Sequence, residues 1–223
     1  MAPAYLSPHY VYMARTLVTK TAEIYIPPNP TLPSLRKAAI ACKACDLYKR
    51  GTQTVFGEGA KRAETMFVGE QPGNEEDLSG HPFVGPAGKL LDKALESAGV
   101  DRAQTYVTNV VKHFKWVPRG KKRIHEKPNA GEIRACLPWF EWELKTVHPK
   151  IVVCLGATAA QAILGKQFRV TQQRGQLLAS PIAPKVMATV HPSSILRAPD
   201  DATRRLEMQR FIDDLKKVAI FIA

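Results

Sequence analysis

Four short apolar runs punctuate the chain: Thr65–Val68 (TMFV), Thr105–Val111 (TYVTNVV), Ile151–Leu155 (IVVCL) and Val186–Val190 (VMATV). Each is rich in β-branched or aromatic residues and too short for a helix, so each predicts a strand. Between them the apolar positions recur at helical spacing. Over Ala87–Ala98, residues Leu91, Ala94, Leu95 and Ala98 share one helical face, and Glu132–Val147, Thr158–Leu164 and Thr203–Ala219 read the same way. Continuous apolar strands alternating with helices predict a mostly parallel sheet covered on both faces. The expected fold class is therefore α/β, a three-layer α/β/α arrangement around a central, mostly parallel four-stranded sheet. Residues 1–34, with prolines at 3, 8, 27, 28, 30 and 33, break the pattern and read as an N-terminal arm or linker. Residues 35–223 then form the domain.

This topology says where to look for chemistry. In open α/β sheets, ligands bind beyond the carboxyl ends of the strands, where loops converge. The first strand runs into Gly69-Glu70-Gln71-Pro72-Gly73, and the second ends near Asn109. The third leads into Gly156-Ala157-Thr158, the fourth into His191-Pro192-Ser193-Ser194. With the basic loop that follows Asn109, the predicted topology thus gathers a carboxylate, an amide, two histidines and hydroxyls at one edge.

Composition narrows the partner. The 223 residues carry 32 Lys and Arg against 20 Asp and Glu, a net charge of +12, which favours a polyanion such as nucleic acid. The excess is local: Lys112 to Lys127 holds seven Lys or Arg and one acid, Glu126. A charge run is commonly just a solvated face, but this one, GKKRIHEKP, encloses His125. With 45 % hydrophobic residues a sizeable core is available. No apolar run approaches the ~20 residues that span a bilayer. No secretory signal is evident, so a cytoplasmic protein, nucleoid-associated when bound to DNA, is expected.

The four cysteines form one close pair, Cys42-x2-Cys45, and two remote residues, Cys136 and Cys154. Buried thiols with no common purpose are one reading. The polar context of CKACDLYKR argues instead for metal binding. Zinc prefers two tight pairs, whereas a cuboidal iron–sulfur cluster accepts one pair and two remote thiolates, so spacing leaves both open.

The stretches GEQPGNEEDLSGHPFVGPAGKLLDKAL and HPSSILR resemble the two signature motifs of the uracil-DNA glycosylase superfamily, over about residues 35–220. The cysteine spacing is similar to that of its iron–sulfur, family-4 members, implying a 4Fe-4S cluster on Cys42, Cys45, Cys136 and Cys154. Two features depart from ordinary family-4 enzymes. Gln71 stands where a small residue is typical, and the Lys122-Arg123-Ile124-His125 loop looks like an insertion. Both are similar to the UdgX class, in which the loop histidine becomes covalently joined to the DNA sugar after uracil is removed. Asn74 stands where a related acid often occurs.

The resemblance implies a role for each residue. Phe83 matches the platform on which the flipped uracil stacks, Asn109 the amide that reads its edge, and His191 the donor to its oxygen. Gly69 belongs to the same substrate-binding group. Ser193 and Ser194 suit phosphate contacts, with Lys122 and Arg123 as further cationic contacts. Arg197 resembles the side chain that fills the space left by the base. Glu70 and Gln71 join His125 and His191 as the catalytic group, with Glu70 orienting water or His125 itself. The expected partner is uracil-containing DNA, single- or double-stranded, bound by a monomer that releases free uracil without a membrane. A conventional turning-over glycosylase and a non-catalytic uracil sensor are the competing readings.

Overall fold

A computed structural model describes residues 20–223. Its helices are α1 (Leu32–Ala39), α2 (Asn74–Ser79), α3 (Pro86–Ala98), α4 (Ala130–Val147), α5 (Ala157–Leu164), α6 (Val170–Gln173), α7 (Pro192–Leu196) and α8 (Asp201–Ile222). The strands are β1 (Glu58–Gly59), β2 (Thr65–Gly69), β3 (Thr105–Asn109), β4 (Trp116–Arg119), β5 (Lys122–His125), β6 (Ile151–Leu155), β7 (Leu178–Ser180) and β8 (Ala183–Thr189). Within the segment read as an arm, residues 22–25 form a 3₁₀ turn packed on α4, Ala22 is fully buried, and α1 begins at Leu32. Residues 1–19 of that segment lie outside the described residues.

The main sheet has the order β1-β3-β2-β6-β8-β7. Its centre, β3-β2-β6-β8, is parallel and contains the four expected strands. The expectation of four strands is corrected to six by antiparallel β1 and β7 at the two edges. Those strands span two and three residues, too few for a period-two pattern to register.

Strand alternation sorts side chains into two cores. Met66, Val68, Val152, Cys154, Val186 and Ala188 face a cluster covered by α1, α4 and α5. Phe67, Val107, Val153, Leu155 and Met187 face the other, covered by α3 and α8. Burying a single leucine such as Leu91 or Leu95 of α3 stabilises by about 1.5–3 kcal/mol, so each helix is held mainly by its apolar stripe. Helix α3 starts with Pro86 and stops at Gly99 in the left-handed region, φ 76°. These layers bring the carboxyl ends of β2, β3, β6 and β8 to one edge.

A separate two-stranded hairpin, β4–β5, stands outside the main sheet. The basic run that reads as a loop in sequence is this hairpin, turning at Gly120 (φ 59°) with Trp116 opposite His125.

Candidate active site

The strand ends enclose a cleft of about 800 Å³, lined among others by Glu70, Gln71, Phe83, Asn109, His125 and His191. Ser193 and Arg197 also line it, and Lys127 adds a cation. Gly69, the last residue of β2, is required by close approach: a Cβ there would collide with Asn109 Oδ1 and lie 2.9 Å from Phe83 Cζ. Phe83 is 8 % exposed and adopts φ 58°, a costly conformation for an aromatic residue. The surrounding loop enforces it. The Glu76 carboxylate accepts the Gly73 and Gly85 N–H groups at 3.0 and 2.8 Å, and Gly88 leaves room for the Phe83 carbonyl, which a Cβ would strike.

His191 follows β8, with its ring centroid 6.3 Å from that of Phe83. The Ser193 backbone N–H donates to its Nδ1 at 3.2 Å, and the Ser193 hydroxyl lies 2.7 Å from the same atom. In the neutral ring the proton therefore resides on Nε2. Burial pushes this imidazole down to about 4, with Arg197 and His125 acting in the same direction and Glu70 opposing, so the ring is neutral at physiological pH. The Ser194 hydroxyl donates to the His191 carbonyl at 2.7 Å. Both serine hydroxyls are thus turned toward His191.

His125 Nε2 lies 3.2 Å from Glu70 Oε1. The His125 side chain is 51 % exposed, that of Glu70 20 %. Burial would raise the Glu70 carboxyl, but hydrogen bonds from His125 and Thr158, together with the nearby His125 and Lys127 charges, hold it below the usual carboxylate value. Glu70 is accordingly an anion at neutral pH.

The hairpin carrying His125 is fastened at its root. Gln71 Nε2 donates to the carbonyls of Lys115 (3.2 Å) and Glu126 (3.0 Å), and its Oε1 accepts the Lys115 N–H (3.0 Å). These two residues flank the hairpin, so one buried amide clamps both of its legs. Gln71 lines the cleft, but its amide group is spent on the backbone; the geometry makes it a positioning residue.

Arg123 supplies a second fastening. Its guanidinium donates to Asp77 Oδ2 at 2.6 Å, to Asn74 Oδ1 at 2.7 Å and to Thr52 Oγ1 at 3.1 Å. It also lies 5.4 Å from the ring centroids of Phe114 and Trp116. It is thus turned into the protein, whereas Lys122 points into solvent. Asp77 was not singled out from the sequence, although a carboxylate just after two others, in GNEEDLSG, is buried only when it has partners.

Cys42, Cys136 and Cys154 belong to one core cluster against which Cys45 packs. Burial pushes the Cys136 and Cys154 thiols up to about 12 and raises Cys45 as well. Two N–H groups point at sulfur: Lys112 N to Cys136 Sγ at 3.2 Å and Trp139 Nε1 to Cys42 Sγ at 3.3 Å. Such donors suit thiolates bound to a cation. Among the described residues, no three His, Cys, Asp or Glu side chains converge as a metal-binding group, so the fit rests on donor chemistry.

The Phe83 ring, the Asn109 amide, the neutral His191 imidazole and the Glu70–His125 pair thus line one cleft at the strand ends. Residues 56–216 match the Uracil DNA glycosylase superfamily, and the chain belongs to that superfamily. It is 34 % identical over 183 residues to the Type-4 uracil-DNA glycosylase of Archaeoglobus fulgidus, covering 76 % of this chain and 85 % of that one. Identity to the Type-4 uracil-DNA glycosylase of Thermotoga maritima is 36 % over 182 residues, covering 81 % and 89 %. For that of Sulfurisphaera tokodaii it is 37 % over 178 residues, covering 76 % and 78 %. No helix of the described residues is long and apolar enough to cross a membrane.

Proposed function

We propose that the protein excises uracil from DNA once and stays joined to the sugar through His125. The observation that carries this reading is the 3.2 Å approach of His125 Nε2 to Glu70 inside the cleft. The name shared by the relatives supports uracil excision itself.

Uracil must leave the stack at a cost of a few kcal/mol, offset by about 1–3 kcal/mol of stacking on Phe83. Asn109 presents a donor and an acceptor together, matching the adjacent carbonyl and N–H of uracil and mismatching cytosine. When the C1′–N1 bond breaks, its electron pair leaves with the base, and the His191 Nε2–H stabilises the charge that builds on the uracil oxygen. The Glu70 anion stabilises the positive sugar. As Nε2 of His125 passes its proton to Glu70, the freed pair adds to C1′. Glu70 then returns that proton through solvent to uracil, so the products are neutral uracil and a neutral, Nε2-alkylated imidazole. An imidazole on a sugar carbon leaves poorly, so each molecule acts once. Lys122, Lys127 and Arg197 serve the phosphates and the emptied space in the stack, on DNA that is single-stranded or duplex.

We further propose that Cys42, Cys45, Cys136 and Cys154 hold a 4Fe-4S cluster, which would tie the segment after α1 to α4 and β6. Purified protein is expected to contain iron and inorganic sulfide in equal amounts; zinc without sulfide would assign the site to the alternative metal.

The activity test mixes protein with a single-uracil oligonucleotide, boils it in SDS and resolves it on a denaturing gel. A shifted band is expected for the native chain and none for His125→Ser. An abasic product without a band would make this a conventional turning-over uracil-DNA glycosylase. Neither band nor product would leave a uracil-binding module.

A further inference from the structure

We infer that Lys112 and Glu143, an ion pair buried behind the cleft, are positioning residues that fix Asn109 for reading the base. This rests on the uracil-excising activity proposed above. In sequence Lys112 counts toward the basic run, yet its side chain is 1 % exposed and that of Glu143 0 %. The ammonium donates to Glu143 Oε2 (2.6 Å), Thr108 Oγ1 (2.6 Å) and the backbone carbonyl of Asn109 (2.7 Å), which engages all three of its protons. Glu143, on α4, also accepts from the Thr108 hydroxyl (2.8 Å), the Tyr106 hydroxyl (3.1 Å) and the Gly57 N–H (2.9 Å).

Burying two charges costs several kcal/mol per ion, so such a pair is weak evidence for stability and stronger evidence for a fixed arrangement. The arrangement fixed here is the end of β3. Beyond Asn109 the chain leaves the strand, with Val110 and Val111 donating back to the carbonyls of Gly69 and Glu70. The Asn109 carbonyl is held by the lysine three residues onward. Holding that carbonyl fixes the peptide plane, and with it the direction in which the Asn109 side chain leaves the backbone. The bare Gly69 opposite sets the other wall. An amide that must meet one donor and one acceptor at once tolerates little rotation.

Lys112→Met alone would strand a buried carboxylate, so the test uses Lys112→Met/Glu143→Gln, which removes both charges at similar volume. Single-turnover uracil release and the thermal midpoint are measured for the native chain, this double variant, Asn109→Ala, and the triple variant. The double variant is expected to melt near the native chain yet to release uracil on the order of 10²-fold more slowly. In the Asn109→Ala background the same pair of changes is expected to cost under about twofold, because the reader it positions is gone. Native-rate release by the double variant overturns the inference, as does a cost undiminished without Asn109. If the double variant melts far below the native chain, Lys112→Arg decides: slower release at a retained midpoint supports positioning, and native-rate release overturns it. A native chain that releases no uracil refutes the activity itself, a result distinct from any variant's.

Discussion

On the proposed mechanism, Gln71 serves chemistry that its own side chain never touches. Its three hydrogen bonds tie the segment after β2 to both legs of the β4–β5 hairpin, and each contributes about 1 kcal/mol. Removing them leaves Glu70 in place but frees His125 to wander, and a displacement of about 1 Å costs on the order of 10²-fold in a bond-forming step. Gln71→Ala is therefore expected to release uracil while forming about a tenth or less of the native amount of SDS-resistant adduct per uracil released. Measuring both products in one quenched sample checks this; an unchanged ratio would show that the contacts of Arg123 and the Trp116–Arg50 bond hold the hairpin without Gln71. At this scale the sequence was only partly legible. Glu70, Phe83, Asn109, His125 and His191 could be located because strand ends and motif residues mark them, and the structure brings all five to one cleft. The task of Gln71 was hidden because its partners are backbone groups 44 and 55 residues away. Lys112 was misplaced among surface cations because charge alone does not reveal burial. Its partner left a trace: Glu143 sits in register with Cys136, Trp139 and Val147 on the buried stripe of α4, where an unpaired carboxylate would be too costly.

Among the elements, the parallel strands were the most legible, because strands buried on both faces must be apolar throughout. Helices α3, α4, α5 and α8 followed from their single apolar stripes. The hairpin was not, for its residues Trp116–Arg119 and Lys122–His125 face mostly solvent and carry a proline and three Lys or Arg. A two-stranded hairpin is marginal by itself in water. This one persists because Arg123 of β5 packs between Phe114 and Trp116 and pairs with the buried Asp77 of α2. Pairing alone would not have ordered it. The element bearing the proposed nucleophile is thus defined by tertiary contacts.

For the whole molecule, two histidines, His113 buried and His191 half-buried, tie stability to acidity. Burial lowers His113 and His191 from 6.5 to about 4, with Asp77 opposing at His113 and Glu70 opposing at His191. Between these values the unfolded chain binds more protons than the folded one, so stability falls as pH drops through 6.5 and levels off near 4. The buried His113 accounts for up to about 3 kcal/mol of this loss. The depressed carboxyl of Glu70 acts in the same direction at still lower pH. Calorimetry is expected to show a thermal midpoint that is level above pH 7 and declines from pH 6.5 to 4.5. The decline should be shallower in His113→Gln, which keeps a partner for the Thr54 hydroxyl; an equal slope in both proteins would exclude His113 as its source.

The hairpin also carries a lesson in portability. It shares no ladder with the main sheet and meets the rest of the fold largely through side chains. Its docking requirements are few: an amide at 71 to grip the two legs, a carboxylate at 77 to receive Arg123, an aromatic ring at 114 beneath its guanidinium, and the Arg50 carbonyl to accept the Trp116 Nε1–H. A scaffold engineered with those receptors would have what it needs to accept the graft. On the mechanism proposed above, the graft would turn the host from a recycling catalyst into a reagent consumed mole for mole with the lesion it meets.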